Sequence, residues 1–289
     1  MLTRTRRRAP APQAPGEWGR GRLLAAFTLL LVIALSLVGG VVLWVWLRLH
    51  PAPQATGTDR PAGSGAVADA AGGSGSPGGG GVGEQVQGRR DALAAAPMKQ
   101  ADLRAAQPST LSTRDPGAIV LPASTSTGPA GIPSGFPRTA EGAVAQLAAI
   151  DTDVLTTASV DHARRVITGW AAPGGPTGQS WTGVQAIAAF LSAASLSPTG
   201  GSGLAVQATP LMGIVKATDG PDWAVACVDF EVDATLKRTD RVALADCQRM
   251  AWDGSRWLIG PGAEPAPAPS IWPGTDAAID AGWKDLRHA

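Results

Sequence analysis

Cys227 and Cys247 are the only thiols in the chain, and they stand on either side of a hairpin-like turn in ACVDFEVDATLKRTDRVALADCQRM, residues 226–250. Placed opposite one another, they fix a register in which Val232 meets Val242, Phe230 meets Leu244 and Asp233 meets Arg241. The apolar pairs then share a face, the charged pair is complementary, and Leu236 to Arg238 are left as a loop. This register favours a cross-strand disulfide, with two buried thiols as the alternative. The bond suits an oxidising, extracytoplasmic setting and would add about 3 kcal/mol by constraining the unfolded chain.

Little else in the sequence has the spacing of reactive chemistry. The three histidines, His50, His162 and His288, are far apart and form no ligand pair, so no metal is expected. There is no GxSxG elbow and no Walker loop, and the glycine runs do not lie between a strand and a helix, so no nucleotide or other cofactor is expected. Asp151, Asp153 and Asp161 gather near a helix junction, and Asp229 and Glu231 lie on a strand. They read as helix-end and solvent-face carboxylates, with Asp161 complementing a helix dipole. Asp161 and His162 are helix neighbours and do not face each other. No catalytic residue is assigned, and the chain is expected not to be an enzyme. A net charge of +1 and a charged fraction of 16% also argue against direct nucleic-acid binding.

The elements that carry these residues follow from periodicity. Thr139 suits an N-cap with Glu141 in the first turn, and Val144, Leu147, Ala148, Val154 and Leu155 recur at helical spacing over roughly 139–158. Ser159 caps a second helix carrying Ala163, Val166, Ile167 and Trp170, and Val184, Ile187, Ala188 and Leu191 mark a third from about 182 to 196. After residue 203 the period becomes two. Strands are expected from Leu204, over 223–235, over 241–252 and over 256–259, with a turn at TDGPD and a bulge or edge at Pro210. The fold class is therefore α+β, with three N-terminal helices packed on a curved four-stranded antiparallel sheet. Of ten tryptophans, Trp170, Trp181, Trp223, Trp252 and Trp257 fall inside this domain as core or rim. Trp272 and Trp283 flank PGTDAAIDAG in a C-terminal arm that is expected to pack back on it.

The remaining sequence places the domain. Arg4, Arg6, Arg7, Arg8, Arg20 and Arg22 precede an uncharged apolar run, Leu23 to Leu47, long enough to cross a bilayer. Trp44 and Trp46 lead into Arg48 without a small-residue cleavage site, so the run reads as a retained anchor in membrane lipid. The arginine asymmetry holds the N-terminus in the cytoplasm and sends the rest outside, giving a single-pass cell-membrane protein. Ser36 and Gly40 form a small-xxx-small pair suited to contact between copies, so a homo-oligomer enters as a partner state. The resulting divisions are a cytoplasmic tail at 1–22, the span at 23–47, a Pro/Gly/Ala-rich disordered linker at 48–134, the α+β domain at 135–262 and a Pro-rich arm with a short helix at 263–289. A flexible tether of roughly 80 residues has an r.m.s. reach of about 50 Å. Within it EQVQGRRDALAAA reads as a transient helix and DPGAIVLPA as an extended arm that can lie against the domain.

This arrangement resembles the bitopic assembly proteins of type IV secretion and conjugation systems, which carry a nuclear transport factor 2-like cone. The stretches SGFPRTAEGAVAQLAAID, VDFEVD, ADCQRMAW and WLIGPGAEPAPAPSIWPGTD also resemble an actinobacterial family of membrane proteins associated with mobile-element transfer. The resemblance implies a scaffold that contacts other secretion-channel subunits, with no catalytic residues to carry over. A lipid-import accessory subunit and a small-molecule-binding or isomerase cone are the alternatives. A filled interior with an exposed sheet face would favour the scaffold; a deep apolar pocket with a perturbed carboxylate would favour the binder.

Overall fold

A computed structural model describes residues 80–289 of the chain. The expected anchor at 23–47, its arginine flank, the Ser36/Gly40 pair and the first part of the tether lie outside the described residues. Among the described residues no helix is long and apolar enough to cross a membrane.

The elements run, in chain order, α1 (Gly80–Ala95), β1 (Ala118–Leu121), β2 (Ser126–Thr127), β3 (Pro133–Ser134), α2 (Ala140–Thr157), α3 (Val160–Trp170), α4 (Thr182–Ala193), β4 (Ala205–Thr218), β5 (Trp223–Thr235), β6 (Thr239–Trp252), β7 (Trp257–Ile259), α5 (Asp276–Asp280) and β8 (Lys284–His288). Single 3-10 turns occupy Leu103–Ala106 and Pro129–Gly131. The large sheet has the order β1-β8-β4-β5-β6-β7, and β2 and β3 form a separate antiparallel pair. All its pairings are antiparallel except β1 with β8, which is parallel.

Local chemistry starts the helices as their sequence demands. The Thr139 hydroxyl accepts the Gly142 amide and caps α2, and the Ser159 hydroxyl accepts the His162 amide and caps α3. β5 and β6 pair in the register that sets Cys227 against Cys247, Phe230 against Leu244, Val232 against Val242 and Asp233 against Arg241. Cys227 and Cys247 form a disulfide. β4 shifts register between Pro210 and Met212 and again between Val215 and Ala217, bulges that bend it across the sheet.

Alternation along β5 divides the core. Ala224, Ala226, Val228 and Phe230 face α2, α3 and α4, while Trp223, Val225 and Cys227 face the opposite side. That second side is covered as well. Ala94 at the end of α1, and Ile271, Ala278 and Trp283 from the C-terminal segment, are buried against it together with Met212 and Cys247.

The expected fold class is corrected on this basis. The sheet has six strands and is mixed, where four antiparallel strands were expected, and three strands precede α2–α4, so those helices are not N-terminal. The stretch 80–134, expected as disordered linker, contains α1 and β1–β3 from residue 80 onward. Its Pro, Gly and Ser content conceals this order because the order is borrowed from distant partners. β1 pairs only with β8, from the far end of the chain, and α1 is fixed by ion pairs to the sheet. In particular, Lys216 of β4 donates a 2.8 Å hydrogen bond to the Ala94 carbonyl, placing a cation on the C-terminal end of α1. Arg89 and Arg90 grip Asp219, and Arg249, only 3% exposed, bonds Asp91 at 2.6 Å and the Ala263 carbonyl at 2.6 Å.

Candidate functional site: a carboxyl-bearing cavity

Between α2, the start of α4 and the inner face of β5 and β6 the core is not filled. A cavity of about 210 Å³ is walled by Val154, Leu155, Trp181, Phe230 and Leu244, and closed on one side by the segment from Glu264 to Ala268. Three carboxyl groups interrupt this apolar lining: Asp151, Asp246 and Glu264.

Each reaches the cavity for a geometric reason. Asp151 lies on α2 three or four residues from Leu147, Ala148, Val154 and Leu155, so helical spacing puts it in the apolar stripe that α2 turns toward the sheet. Asp246 lies opposite Val228 in β6, on the same strand face as Leu244 and Met250, so alternation turns it inward. Glu264 follows β7 and crosses to α4, whose N-cap residue Trp181 offers no side-chain cap. One Glu264 oxygen accepts the Thr182 amide at 2.9 Å and the other accepts the Thr182 hydroxyl, so this remote residue does the capping that Trp181 cannot. Gly183 lines the same wall, where an added Cβ would stand 2.7 Å from the Trp181 indole.

The electrostatics follow from drawing three acidic groups away from water, Asp151 almost completely and Asp246 and Glu264 in part. Burial raises Asp151 well above its ordinary value, and Asp246 and Glu264 push it further. Burial also raises Asp246, to about 6, helped by Glu264 and opposed by the Gln248 amide and the Cys247 backbone. The Gln248 amide donates to both Asp246 oxygens, at 3.3 and 3.0 Å. Glu264 is raised by burial and restrained by Thr182 and Gln248. Asp151 is the least satisfied of the three: it is 6% exposed and its Oδ2 has no hydrogen-bond partner. Trp181, fully buried in the same wall, leaves its Nε1 without an acceptor. The arrangement therefore favours the neutral form of Asp151 beside Asp246, in surroundings that favour neither an extra negative charge nor an empty polar contact.

The carboxylates read from sequence as one solvent-side group are separated by the fold. Asp151 enters the cavity. Asp153 instead hydrogen-bonds His162 at 2.5 Å across the junction of α2 and α3, giving His162 a partner that its neighbour Asp161 could not be. Asp161 stays exposed, within 3.6 Å of Arg164. Glu231 and Asp233 both pair with Arg241 on the hairpin. Asp229 is fully buried on the opposite sheet face, beneath the C-terminal segment, where neither oxygen has a donor in hydrogen-bonding geometry. Burial raises it to about 8, with the Ile271 and Phe230 amides opposing weakly.

Sequence reasoning thus missed Asp151, Asp246 and Glu264 as a group. The signal for Asp151 was present, since it completes the spacing of Val144, Leu147, Ala148, Val154 and Leu155. The signal for Asp246 was present too, because the cysteine register makes it an inward residue. Glu264 had none, as its position depends on the path of an irregular segment. Among the described residues no group of three or more His, Cys, Asp or Glu side chains has the arrangement of a metal site.

Fold and site together define an α+β domain with an acid-lined cavity. Comparison with protein families, with curated proteins and with solved structures finds no match for this chain in any of the three.

Proposed function

We propose that this domain binds a small, largely apolar molecule in the cavity between α2, α4 and the sheet, and that it does so without turning it over. The observation that carries the reading is Asp151: a residue only 6% exposed, with an unpartnered carboxyl oxygen, in the wall of a largely apolar cavity. A group so placed costs stability unless something satisfies it, and such costs persist where a ligand uses them. The absence of histidine, lysine or a free thiol among the lining residues supports binding over nucleophilic chemistry. We further propose that the domain sits outside the cell membrane on its tether, a location supported by the Cys227–Cys247 bond and by the arginine-flanked apolar run.

The test is to purify the full chain from its native envelope in mild detergent, extract it with organic solvent and identify retained small molecules by mass spectrometry. The expected result is a compound held in stoichiometric amount by the natural chain and lost in Leu244→Trp, which fills the cavity with an indole. An empty cavity, together with no thermal stabilisation by any member of a small-molecule library, would sink the reading.

The assembly-subunit reading keeps one specific support. β1 is an edge strand of the large sheet, and Val120 on it is 53% exposed, which leaves a free edge for strand addition by a channel subunit or a second copy. In-cell crosslinking from residue 120 with identification of the neighbours tests it. Recovery of no secretion component would remove that reading and leave the cavity reading untouched.

A further inference from the structure

We propose that the ligand is an organic cation, a protonated primary or secondary amine on a compact apolar body, whose ammonium group sits among Asp151, Asp246 and Glu264. The proposal rests on the ligand-binding reading and adds the chemical class.

The lining has one sign of charge. Asp151, Asp246 and Glu264 all contribute to it, and no arginine, lysine or histidine does. Carboxyl groups that share a largely apolar lining and raise one another disfavour full ionisation, and without a cation protons relieve the repulsion. An ammonium group supplies what the protons supply, positive charge and hydrogen-bond donors, in a form that also fills space. It has donors enough for the Asp151 carboxyl, which lines the cavity, and for lone pairs of Asp246 that the Gln248 amide leaves unused. Glu264 contributes field more than contact, because both its oxygens are taken by Thr182. The body of the ligand lies against Val154, Leu155, Phe230 and Leu244, and the Trp181 indole in the same wall offers cation–π contact.

Other classes fit less well. An anion would meet three acids and no counter-charge. A neutral alcohol or ketone would fill the space but leave the carboxyl cluster as it stands. A bare metal ion would need several oxygens converging on one point, and no such group occurs among the described residues.

Binding carries a defined proton balance. The amine enters as its ammonium form, a cavity carboxylic acid ionises beside it, and the released proton passes to solvent. Affinity therefore rises with pH until the amine itself begins to lose its proton.

The experiment uses the full chain in lipid nanodiscs and three probes with one body: cyclohexylmethylamine, cyclohexylmethanol and cyclohexanecarboxylate. Calorimetric titration at pH 6, where Asp246, raised to about 6, still holds part of its proton, in buffers of different ionisation enthalpy gives affinity and proton release together, with empty nanodiscs as the blank. The amine is expected to bind at least about tenfold more tightly than the alcohol, as a charge-assisted contact over a neutral one. It should release a measurable fraction of a proton, and the carboxylate should not bind. Asp246→Asn and Asp151→Asn should each weaken the amine about tenfold or more, several times more than they weaken the alcohol, and abolish or reduce proton release. Equal binding of alcohol and amine, binding of the carboxylate, or amine binding without proton release in the natural chain would overturn the cation while sparing the cavity as a ligand site. Failure of all three probes in the natural chain would overturn the cation, and the extraction experiment above then decides separately whether the cavity holds anything.

Discussion

At the scale of single residues, two aspartates carry the opposing demands of burial and charge. Asp151 has a cavity beside it and a use to be tested there; Asp229 has only the underside of the C-terminal segment. Because its folded value of about 8 lies above its ordinary value of 3.8, the folded state holds a proton that the unfolded chain gives up. The sign follows directly. The titration of Asp229 costs nothing below about pH 4, costs about 1.4 kcal/mol more for each unit the pH rises toward 8, and levels off beyond that. Asp229→Asn removes the titration. Its melting temperature should match that of the natural chain near pH 4 and exceed it increasingly up to about pH 8. Parallel pH profiles of the two proteins would show that the carboxyl finds a solvated conformation.

At the scale of elements, the β5–β6 hairpin was legible in full. The two cysteines, the apolar pairs and the Asp233–Arg241 pair agree on one register, and cross-strand pairing depends on residues that a short turn brings together. Removing the bond in the double variant Cys227→Ala/Cys247→Ala should lower stability by about 3 kcal/mol with the hairpin retained, read as a shift of the denaturant midpoint at unchanged slope. An unchanged midpoint would mean that the side-chain pairs and the turn alone hold the register. α2 and α3 were equally legible, since Thr139 and Ser159 act on amides within their own first turn. α1 was legible only as a transient helix. Its docking rests on Asp219, Lys216 and Arg249, which lie far along the chain and carry no mark of it.

At the scale of the whole molecule, the first and last strands of the described chain meet. β8 inserts between β1 and β4, pairing Met212 with Asp285 and Ala118 with Asp285, so that β1 belongs to the large sheet only through β8. Gly213 makes room at this crossing: a Cβ there would stand 2.7 Å from Leu286. Ending the chain after Trp283 should therefore release β1 without dissolving the β4–β5–β6 ladder. Hydrogen exchange is the measurement. Protection should vanish at Ile119 and Leu121 and persist at Val225 and Val228. Retained protection at Ile119 would show that packing of its side chain against the core holds the strand without hydrogen bonds.

The sequence by itself determined what short separations determine: the caps and apolar stripes of α2 and α3, the course of β4 to β7, and the register that brings Cys227 to Cys247. Periodicity and capping act over a few residues, so the information is local and can be read locally. Only the tertiary structure decided that β1 and β8 extend the sheet, that α1 and the C-terminal segment cover its second face, and that Asp151, Asp246 and Glu264 share one enclosure. Those outcomes depend on which distant surfaces exclude water together, and a carboxyl group acquires its chemistry from that exclusion.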